Sequence, residues 1–291
     1  MEEILVILNP TARSERAKQA WNEIKHLRGS KVHATAAAGD ARALARDAVK
    51  RGYRIVVAAG GDGTINEVVN GLAGSDVALG ILPVGTMNVF ATELGIPANL
   101  QKAWNVIGEG HTRRIDLARA NGKYFVQLAG VGLDAQVVQA TSANLKRNFG
   151  PLSYLISAAQ IAAQRPPRLA VESADHAVAG SFVLIGNGRF YGGPITLFKE
   201  ARIDDGRLDV LVFKNLGYLD IARYLGGIIM GTHTALGDVD YFQTRKVLVR
   251  SEQDVPIEVD GEIAGKLPAT FRISSRKLHV VVPRPAALRK R

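Results

Sequence analysis

The sequence of 291 residues contains no cysteine. Disulfide bonds, thiolate metal sites and a cysteine nucleophile are therefore excluded, and the composition is compatible with a reducing compartment. Long hydrophobic runs are absent as well, because no apolar stretch approaches the roughly 18 residues that a membrane-spanning helix needs. The six histidines are scattered, and none has the spacing of a zinc site. We expect a cytoplasmic protein that visits a membrane surface without crossing it.

Positive charge is in surplus. The chain has 37 Lys and Arg against 27 Asp and Glu, which gives a formal net charge of +10. Such a surplus favours an anionic partner, such as nucleic acid, an acidic membrane surface or a phosphorylated ligand. The alternative is that a basic surface serves solubility alone. Hydrophobic residues make up 47% of the chain, so a sizeable core is expected and global disorder is excluded.

Strands and helices alternate in the first third of the chain. The apolar run ILVIL, residues 4–8, is typical of a buried strand, and Asp40 is placed to cap a helix that extends to about residue 50. Continuous apolar strands that alternate with helices indicate an α/β domain built on a doubly wound parallel sheet. The same pattern predicts further strands at residues 32–36, 54–60 and 78–84, and further helices at residues 14–27 and 65–72.

The pattern changes near residue 113. Asn121-Gly122 stands between two strand-like runs and is a strong hairpin signal. We place the domain boundary near residue 120, with an α/β domain at residues 1–120 and a mostly β domain at residues 121–291 that ends in a basic tail. Helical stretches are predicted at residues 151–164 and 219–230. We expect their apolar side chains in the core, and contact with a lipid acyl chain is the alternative. Strands are predicted at residues 168–173, 181–187, 207–213, 241–250, 256–259 and 277–282.

A glycine-rich turn follows the strand predicted at residues 54–60. In AAGGDGTIN, Gly61 and Gly63 flank Asp62. Glycines let the backbone approach a ligand closely, and amides at a helix N-terminus attract phosphate, so the turn is a candidate phosphate loop. Asp62 would repel phosphate unless a cation intervenes, and Mg²⁺ commonly links a carboxylate to nucleotide phosphates. The alternative is a tight turn without a ligand, with Thr64 as the cap of the next helix.

This turn does not match the commonest phosphate loops. A Rossmann fingerprint needs a third glycine where Asn66 stands, and no stretch fits a P-loop. Two other polar loops follow predicted strands, NPTAR at residues 9–13 and GTMN at residues 85–88. Because the carboxyl ends of parallel strands share one edge, all three loops are expected to meet there.

The motifs together resemble the diacylglycerol kinase catalytic-domain family, which includes bacterial lipid kinases and sphingosine kinases. The resemblance is carried by NPT, GGDGTINEVVNGL and PVGTMNVFA, and then by FVQLAGVGLDAQVV, IGNGRFYGG, ARIDDGRLDVLVF and VDGE. It implies a nucleotide-binding α/β domain and a C-terminal β-sandwich, with the active site in the cleft between them. It also implies ATP- and Mg²⁺-dependent phosphorylation of a hydroxyl on a diacylglycerol-like or sphingoid lipid.

The resemblance assigns roles to individual residues. Glu262 of VDGE would be the general base, and Asp62 and Asp116 would organise the catalytic Mg²⁺. ATP contacts would come from Asn9, Pro10, Thr11, Thr35, Gly61, Asp62, Gly63, Thr64, Ile65, Asn66, Glu67 and Thr86. A separate structural Mg²⁺ would be bound by the side chain of Asp205 and the backbone carbonyls of Arg202 and Arg207.

One position departs from the family pattern, because Val89 stands where many members have an acidic residue. This departure leaves open a nucleotide-binding regulatory protein with weak catalysis. A second alternative to the lipid kinase is an NAD kinase-like enzyme, because NAD kinases share GGDGT. On the residues alone, Glu262 is an ordinary residue of a hairpin at Asp260-Gly261. Asp116, if it is buried, needs a metal or a basic partner.

The expected partner is a lipid substrate at a membrane surface. The basic tail, with Arg289, Lys290 and Arg291, favours transient contact with the anionic inner face of the membrane. Nucleic acid is not expected as a partner. No short motif encodes the lipid or the oligomeric state, for which a homodimer is one option.

Overall fold

The computed structural model describes residues 4–10, 24, 29–132, 135 and 166–285. The chain divides into two units, one of Met1–Leu117 with Ser275–Arg291 and the other of Ala118–Ser274. The helix predicted at residues 14–27 lies outside the described residues except for residue 24, which is helical. The helix predicted at residues 151–164, the ATP contact Thr11 and the basic tail at residues 289–291 also lie outside them. Within the described part of the chain, no helix has the length and apolar character needed to cross a membrane.

The first unit is built on a parallel sheet. The elements are β1 (Ile4–Leu8), β2 (Ser30–Ala34), α1 (Asp40–Lys50), β3 (Ile55–Gly60), α2 (Asp62–Leu72), β4 (Ala78–Pro83), α3 (Val89–Glu93), α4 (Leu100–Glu109) and β5 (Thr112–Ala120). The parallel strands follow the order β2-β1-β3-β4, and the last described strand, β18 (Ala269–Val281), pairs parallel to β4 through Val280 and Leu79. The predicted strand–helix alternation and parallel sheet are confirmed.

Two helices of this unit pack closely because small residues face each other. Ala41, Ala45 and Ala48 form the buried side of α1. Gly71 of α2 lies against it, and a Cβ on this glycine would stand 2.5 Å from the Cβ of Ala45 and 2.7 Å from the carbonyl oxygen of Arg42. Any larger residue at position 71 would push the two helices apart.

The second unit is a β-sandwich. The elements are β6 (Lys123–Phe125), β7 (Leu128–Val131), β8 (Leu169–Glu172), β9 (Ala177–Gly180), β10 (Phe182–Gly186), β11 (Phe190–Tyr191), β12 (Ile195–Thr196), β13 (Leu208–Phe213), α5 (Tyr218–Met230), a 3₁₀ turn (His233–Ala235), β14 (Val239–Thr244), β15 (Lys246–Arg250), β16 (Pro256–Val259) and β17 (Glu262–Lys266). One layer is an antiparallel sheet with the order β14-β13-β10-β7-β16-β17. The other layer is formed by β18, β15, β8 and β9, which pair antiparallel and continue the sheet that contains β4.

The sandwich has apolar residues on both faces of its central strands. Val183 and Ile185 of β10 pack into the core shared by the two sheets. Their neighbours on the opposite face, such as Phe182, pack with Phe213 and with Tyr224 of α5. The ring centroids of Phe182 and Phe213 are 4.2 Å apart in a stacked arrangement. This second layer explains why the strand reads as a continuous apolar run rather than as an alternating pattern.

Several local predictions are confirmed and others are wrong. The hairpin at Asn121-Gly122 joins β5 to β6, with positive φ at both residues. Asp40 is not the N-cap of α1, because Gly39 takes that position with φ 90°, and the Asp40 carboxylate accepts hydrogen bonds from the two amides at positions 36 and 37. Thr64 does not cap α2 either, because the helix already begins at Asp62.

The end of the chain belongs with the first unit. The predicted second domain extended to residue 291, but residues 275–285 belong to the first unit, where Val280 of β18 pairs with β4. The strand predicted at residues 241–250 is also two strands, β14 and β15, which are interrupted at Arg245. Neither feature could be predicted from neighbouring residues in the sequence, since both depend on which distant strand is the pairing partner.

Substituting Gly71 tests the contact between α1 and α2. We expect Gly71→Ala to lower the free energy of unfolding by about 1–3 kcal/mol, because overpacking outweighs the higher helix propensity of alanine. Gly108→Ala in α4 is the matched control, since a Cβ at that position would have no other atom within 4 Å. The control should leave stability unchanged or raise it by up to about 1 kcal/mol. Urea unfolding measures both, and equal stabilities would contradict the packing described.

Candidate active site

The loops after the parallel strands lie at one edge of the first unit. The amide of Asn9, after β1, donates to the carbonyl of Ala59 in β3 at 3.0 Å. On the other side of β3, the amide of Val84 donates to the carbonyl of Gly60 at 3.1 Å. Thr35 follows β2 at the same edge, and its amide donates to the carbonyl of Leu8 at 2.9 Å. The three strand-end positions are thus tied to their neighbours at this edge.

Two of these loops touch through their glycines. A Cβ on Gly85 would stand 2.4 Å from the Cα of Gly61 and 2.9 Å from Oδ1 of Asn88. Only glycine at position 85 permits this approach. Asn88 holds the loop in shape, with φ 48° and a 2.6 Å hydrogen bond from its Nδ2 to the carbonyl of Gly85. Its buried Oδ1 has no hydrogen-bond partner.

The GGDGT turn at the start of α2 has free space beside Gly63 and close packing around Gly60. A Cβ on Gly63 would have no other atom within 4 Å. By contrast, a Cβ on Gly60 would stand 2.5 Å from Oγ1 of Thr64. That hydroxyl accepts a 3.1 Å hydrogen bond from Nδ2 of Asn9, which joins the loop after β1 to the GGDGT turn. The backbone at Gly63 is therefore accessible, while the residues around it are held in place.

Asp62 is shared between the two glycine loops. Its Oδ1 accepts a hydrogen bond from the amide of Phe90 at 3.3 Å, so it binds the start of α3. Burial raises the pKa of the Asp62 carboxyl above its usual value, and hydrogen bonds from backbone amides, led by that of Phe90, act in the opposite direction. Val89, which replaces the acidic residue of many family members, is the first residue of α3.

Several predicted ATP contacts have other partners. Ile65 is buried in the core at 1% exposure. Asn66 is buried as well, and its Oδ1 accepts from Nδ2 of Asn70 at 3.0 Å. The Glu67 carboxylate accepts hydrogen bonds from three amides at the N-terminus of α1, with distances of 2.9, 3.1 and 3.4 Å. Pro10 and Thr86, in contrast, are exposed.

Asp116 is fully buried in β5 and has a basic partner. The Nζ atom of Lys277 in β18 forms an ion pair and hydrogen bond with Oδ1 of Asp116. The sequence predicted that a buried carboxylate here would need a metal or a basic group, and the structure supplies a lysine 161 residues away along the chain. This pair lies within the first unit.

In the second unit, Asp260 fixes the turn that carries Glu262. The carboxylate of Asp260 accepts hydrogen bonds from the amides of residues 126, 127 and 128 at 2.9, 3.0 and 3.0 Å. Oε2 of Glu258 accepts from the amide of Gly261 at 2.7 Å. Glu262 opens β17 with its side chain 40% exposed, and its carboxylate is 3.7 Å from Nζ of Lys123. Glu262 is therefore accessible on a turn whose backbone is held from both sides.

The NGRFYGG segment supports the same turn. The amides of Asn187 and Gly188 donate to the carbonyl of Gln127 at 2.9 and 3.1 Å. Nδ2 of Asn187 donates to the carbonyl of Val126 at 2.9 Å. Gly188 has no room for a side chain, because its Cβ would stand 2.5 Å from the Gln127 amide group. The sequence analysis did not predict these roles. The available signal was that Gln127 and Asn187 are polar residues at the ends of apolar runs.

The DDG loop lies at a surface cavity of about 640 Å³. Oδ1 of Asp205 accepts from the amide of Arg207 at 2.9 Å, and the amide of Asp205 donates to the carbonyl of Arg202 at 3.3 Å. Glu200 also lines this cavity. The described residues contain no group of three acidic, histidine or cysteine side chains arranged to hold a metal ion.

A buried carboxylate, Asp209, stands beside this loop and was missed from the sequence. It accepts hydrogen bonds from Tyr241 and Gln243, and its Oδ2 has no partner. Burial raises the pKa of Asp209, and the negative charges of Asp205 and Glu200 raise it further, against the hydrogen bonds. A single aspartate in the apolar run LDVLVF was the available signal.

Comparison with known proteins decides the family. Residues 3–120 match the family model of the diacylglycerol kinase catalytic domain, and residues 127–282 match that of the YegS C-terminal NAD kinase beta sandwich-like domain. The chain is 32% identical over 298 residues to the diacylglycerol kinase of Bacillus subtilis (strain 168), covering 99% of this chain and 98% of that protein. The chain belongs to the diacylglycerol kinase family.

Other relatives agree with this assignment. The diacylglycerol kinase of Staphylococcus haemolyticus (strain JCSC1435) is 33% identical over 289 residues, covering 96% of this chain and 88% of that protein. A crystal structure of a diacylglycerol kinase from Bacillus anthracis str. Sterne matches with a TM-score of 0.79 over 98% of each chain, at 24% identity, which supports the fold. Membership places the chain among phosphotransferases with an alcohol group as acceptor.

Substituting Glu67 separates a structural role from a nucleotide contact. We expect Glu67→Ala to lower the free energy of unfolding by about 1–3 kcal/mol, because the amides at the start of α1 lose their acceptor. The KM for ATP should stay unchanged. Glu109→Ala, at an exposed carboxylate 4.0 Å from Arg284, is the matched control and should have little effect on stability. A raised KM for ATP without loss of stability would instead favour the contact that the family resemblance implies.

Proposed function

We propose that this member of the diacylglycerol kinase family transfers the γ-phosphate of ATP, with Mg²⁺, to the hydroxyl of a diacylglycerol-like or sphingoid lipid. The observation that carries the proposal is the contact between Gly61 and Gly85. It occurs in a chain that matches a curated diacylglycerol kinase over 99% of its length. This contact joins two glycine loops at the strand edge where α/β sheets bind ligands.

The residues at this edge fit a triphosphate. The open position at Gly63 lets phosphate oxygens approach the backbone at the start of α2, where helix amides favour negative charge. Asn9, Gly61 and Thr64 would flank the phosphates. The orphaned buried Oδ1 of Asn88 lies at the junction of the two loops, so this polar group is held in place before any ligand binds.

The residues also fit a metal that arrives with the nucleotide. Mg²⁺ usually keeps several waters and is bound through one or two carboxylates together with substrate phosphates. Asp62 provides one carboxylate beside the glycine loops, and the lack of a three-carboxylate cluster in the described residues is compatible with such a site. When bound, Mg²⁺ would neutralise charge on the phosphates. A bound cation would also favour the ionised form of Asp62, against the effect of its burial.

Glu262 would accept the proton of the lipid hydroxyl. An alcohol must lose its proton as it attacks the γ-phosphorus, and a positioned carboxylate can take it. Asp260 holds the turn through three backbone amides, so the carboxylate of Glu262 would be presented at a constant position. Nζ of Lys123 lies 3.7 Å from the Glu262 carboxylate and pairs with it. In the Asp205 loop, we propose the structural Mg²⁺ that the resemblance implies.

The proposed partner is a membrane that contains the acceptor lipid. A net charge of +10 favours an anionic surface, and we propose transient association of a cytoplasmic protein with the inner face of the membrane.

An NAD kinase-like enzyme is the second candidate function, because the family model that matches residues 127–282 is described as NAD kinase beta sandwich-like. The full-length relatives named diacylglycerol kinase favour the lipid.

Transfer of labelled γ-phosphate to a panel of acceptors tests the proposal. The panel contains diacylglycerol, monoacylglycerol, a sphingoid base and NAD. We expect a lipid product, and we expect Glu262→Gln to lower kcat by about 10²–10⁴-fold, because the general base is lost. ATP binding should remain unchanged. Glu252→Gln, at an exposed glutamate of the same unit, is the matched control and should keep full activity.

The other outcomes distinguish the alternatives. Formation of NADP without a lipid product would establish the NAD kinase-like function. ATP binding with no product from any acceptor would favour the regulatory protein, and in that case Glu262→Gln would leave the biological phenotype intact.

A further inference from the structure

The helix α5 presents apolar side chains to solvent. Tyr218, Leu219, Leu225, Ile229 and Met230 are between 36% and 86% exposed, and Leu219, Ile229 and Met230 each exceed three quarters. These five are most of the large hydrophobic residues that are exposed in the described part of the chain. A concentration of such residues on one short helix marks an interaction surface rather than scattered exposure.

The exposed residues form one stripe along the helix. Leu219, Ala222 and Gly226 follow helical spacing, and Ile229 and Met230 complete the row. The opposite side of the helix is also apolar, because Tyr224 packs on the sheet with its ring centroid 4.9 Å from that of Phe213. A helix at the surface of a globular protein normally has a polar outer face. In α5, the second apolar face has no partner among the described residues.

The charges nearest the stripe come from one ion-pair cluster and one lysine. Arg223 bonds to Asp220 at 3.0 Å and to Asp238 at 2.8 Å, so the two carboxylates share one cation and keep one negative charge between them. At the C-terminal end, the exposed Lys199 lies against Gly231, and a Cβ on that glycine would stand 3.3 Å from its Nζ. The helix therefore offers apolar side chains, an exposed tyrosine and a basic group, the combination that suits a helix lying in the headgroup region.

We propose that the outer face of α5, formed by Tyr218, Leu219, Leu225, Ile229 and Met230, inserts into the interfacial region of an anionic lipid bilayer. Thirteen residues give a helix about 20 Å long, which suits a position in the plane of the membrane rather than across it. The inference rests on the proposed function, since a lipid kinase must reach an acceptor that resides in a bilayer. A net charge of +10 favours an anionic bilayer over a neutral one.

Flotation with vesicles tests the proposal with the full-length protein. The vesicles contain equal parts of phosphatidylglycerol and phosphatidylcholine, and neutral phosphatidylcholine vesicles serve as a comparison. We expect the double variant Leu219→Ser, Ile229→Ser to lower the partition coefficient by at least about tenfold, because two aliphatic side chains no longer leave water. Both positions are highly exposed, so the fold should be unaffected. The matched control, Leu219→Met with Ile229→Leu, keeps the apolar surface and should bind like the parent protein.

A tryptophan probe adds a readout at the helix itself. The fluorescence of the new tryptophan in Leu219→Trp is obtained by subtracting the spectrum of the parent protein, which has two tryptophans of its own. Its emission maximum should shift to the blue when anionic vesicles are added, and brominated lipid should quench it. An unshifted emission, or flotation of the double-serine variant equal to that of the parent, would overturn the proposal. Loss of a parent dimer in the serine variant, measured by light scattering, together with unchanged flotation, would assign this face to a second copy of the chain and would also overturn it.

Activity on a water-soluble acceptor separates this inference from the proposed function. With short-chain diacylglycerol and no vesicles, the double-serine variant should retain the activity of the parent, whereas its activity on long-chain diacylglycerol in vesicles should fall with binding. Parent protein that binds vesicles through α5 but phosphorylates no lipid would contradict the proposed function and leave the membrane contact supported.

Discussion

The contact between the backbones of Gly61 and Gly85 is the constraint on which the site of the first unit depends. These residues belong to loops after neighbouring parallel strands, and they approach so closely that a Cβ on Gly85 would stand 2.4 Å from the Cα of Gly61. With the two loops in contact, Asp62 reaches the amides that begin α3, and Asn88 closes the second loop in a left-handed conformation. A single steric condition thus connects the glycines, the buried carboxylate and the start of two helices.

The second unit fixes its candidate base by a different means. The VDGE turn is a hairpin, but its stability does not rest on the turn residues alone, because the carboxylate of Asp260 accepts from three consecutive amides of the neighbouring segment. Asn187 also bonds to that segment, because its Nδ2 donates to the carbonyl of Val126 and its amide donates to the carbonyl of Gln127. Buried polar groups of this kind are costly unless they are hydrogen-bonded. In this turn they orient the backbone on which Glu262 stands, while Glu262 itself stays accessible.

Local sequence patterns predicted much of the fold and the edge of the sheet at which the glycine loops lie. The apolar runs and glycine turns were sufficient for the parallel sheet, for the loops at its carboxyl edge and for the hairpin at Asn121-Gly122, because each follows from neighbouring residues. The partners of charged groups could not be predicted in this way. Lys277 meets Asp116 across 161 positions, and the carboxylate of Glu67 binds the amides of a different helix. A glutamate in a glycine-rich motif looks the same in the sequence whether it contacts a nucleotide or a backbone amide.

The helix α5 shows a second limit of sequence patterns. Its apolar residues were expected in the core, yet only one side packs on the sheet and the other side carries Leu219, Ile229 and Met230 in solvent. Hydrophobic periodicity shows that a face is apolar, but it does not show whether protein or lipid covers that face. The exposed fractions of these side chains, which come from the structure and not from the pattern, mark the face as an interaction surface.

We propose that the two glycine loops act together as the cradle for Mg²⁺ and ATP. Amide hydrogen exchange, measured with and without Mg²⁺ and ATP, tests it most directly. We predict that exchange slows in both loops at once, at residues 61–64 and 85–88, because ligand oxygens and loop closure protect these amides. Protection of only one loop, or protection confined to other segments, would contradict the account.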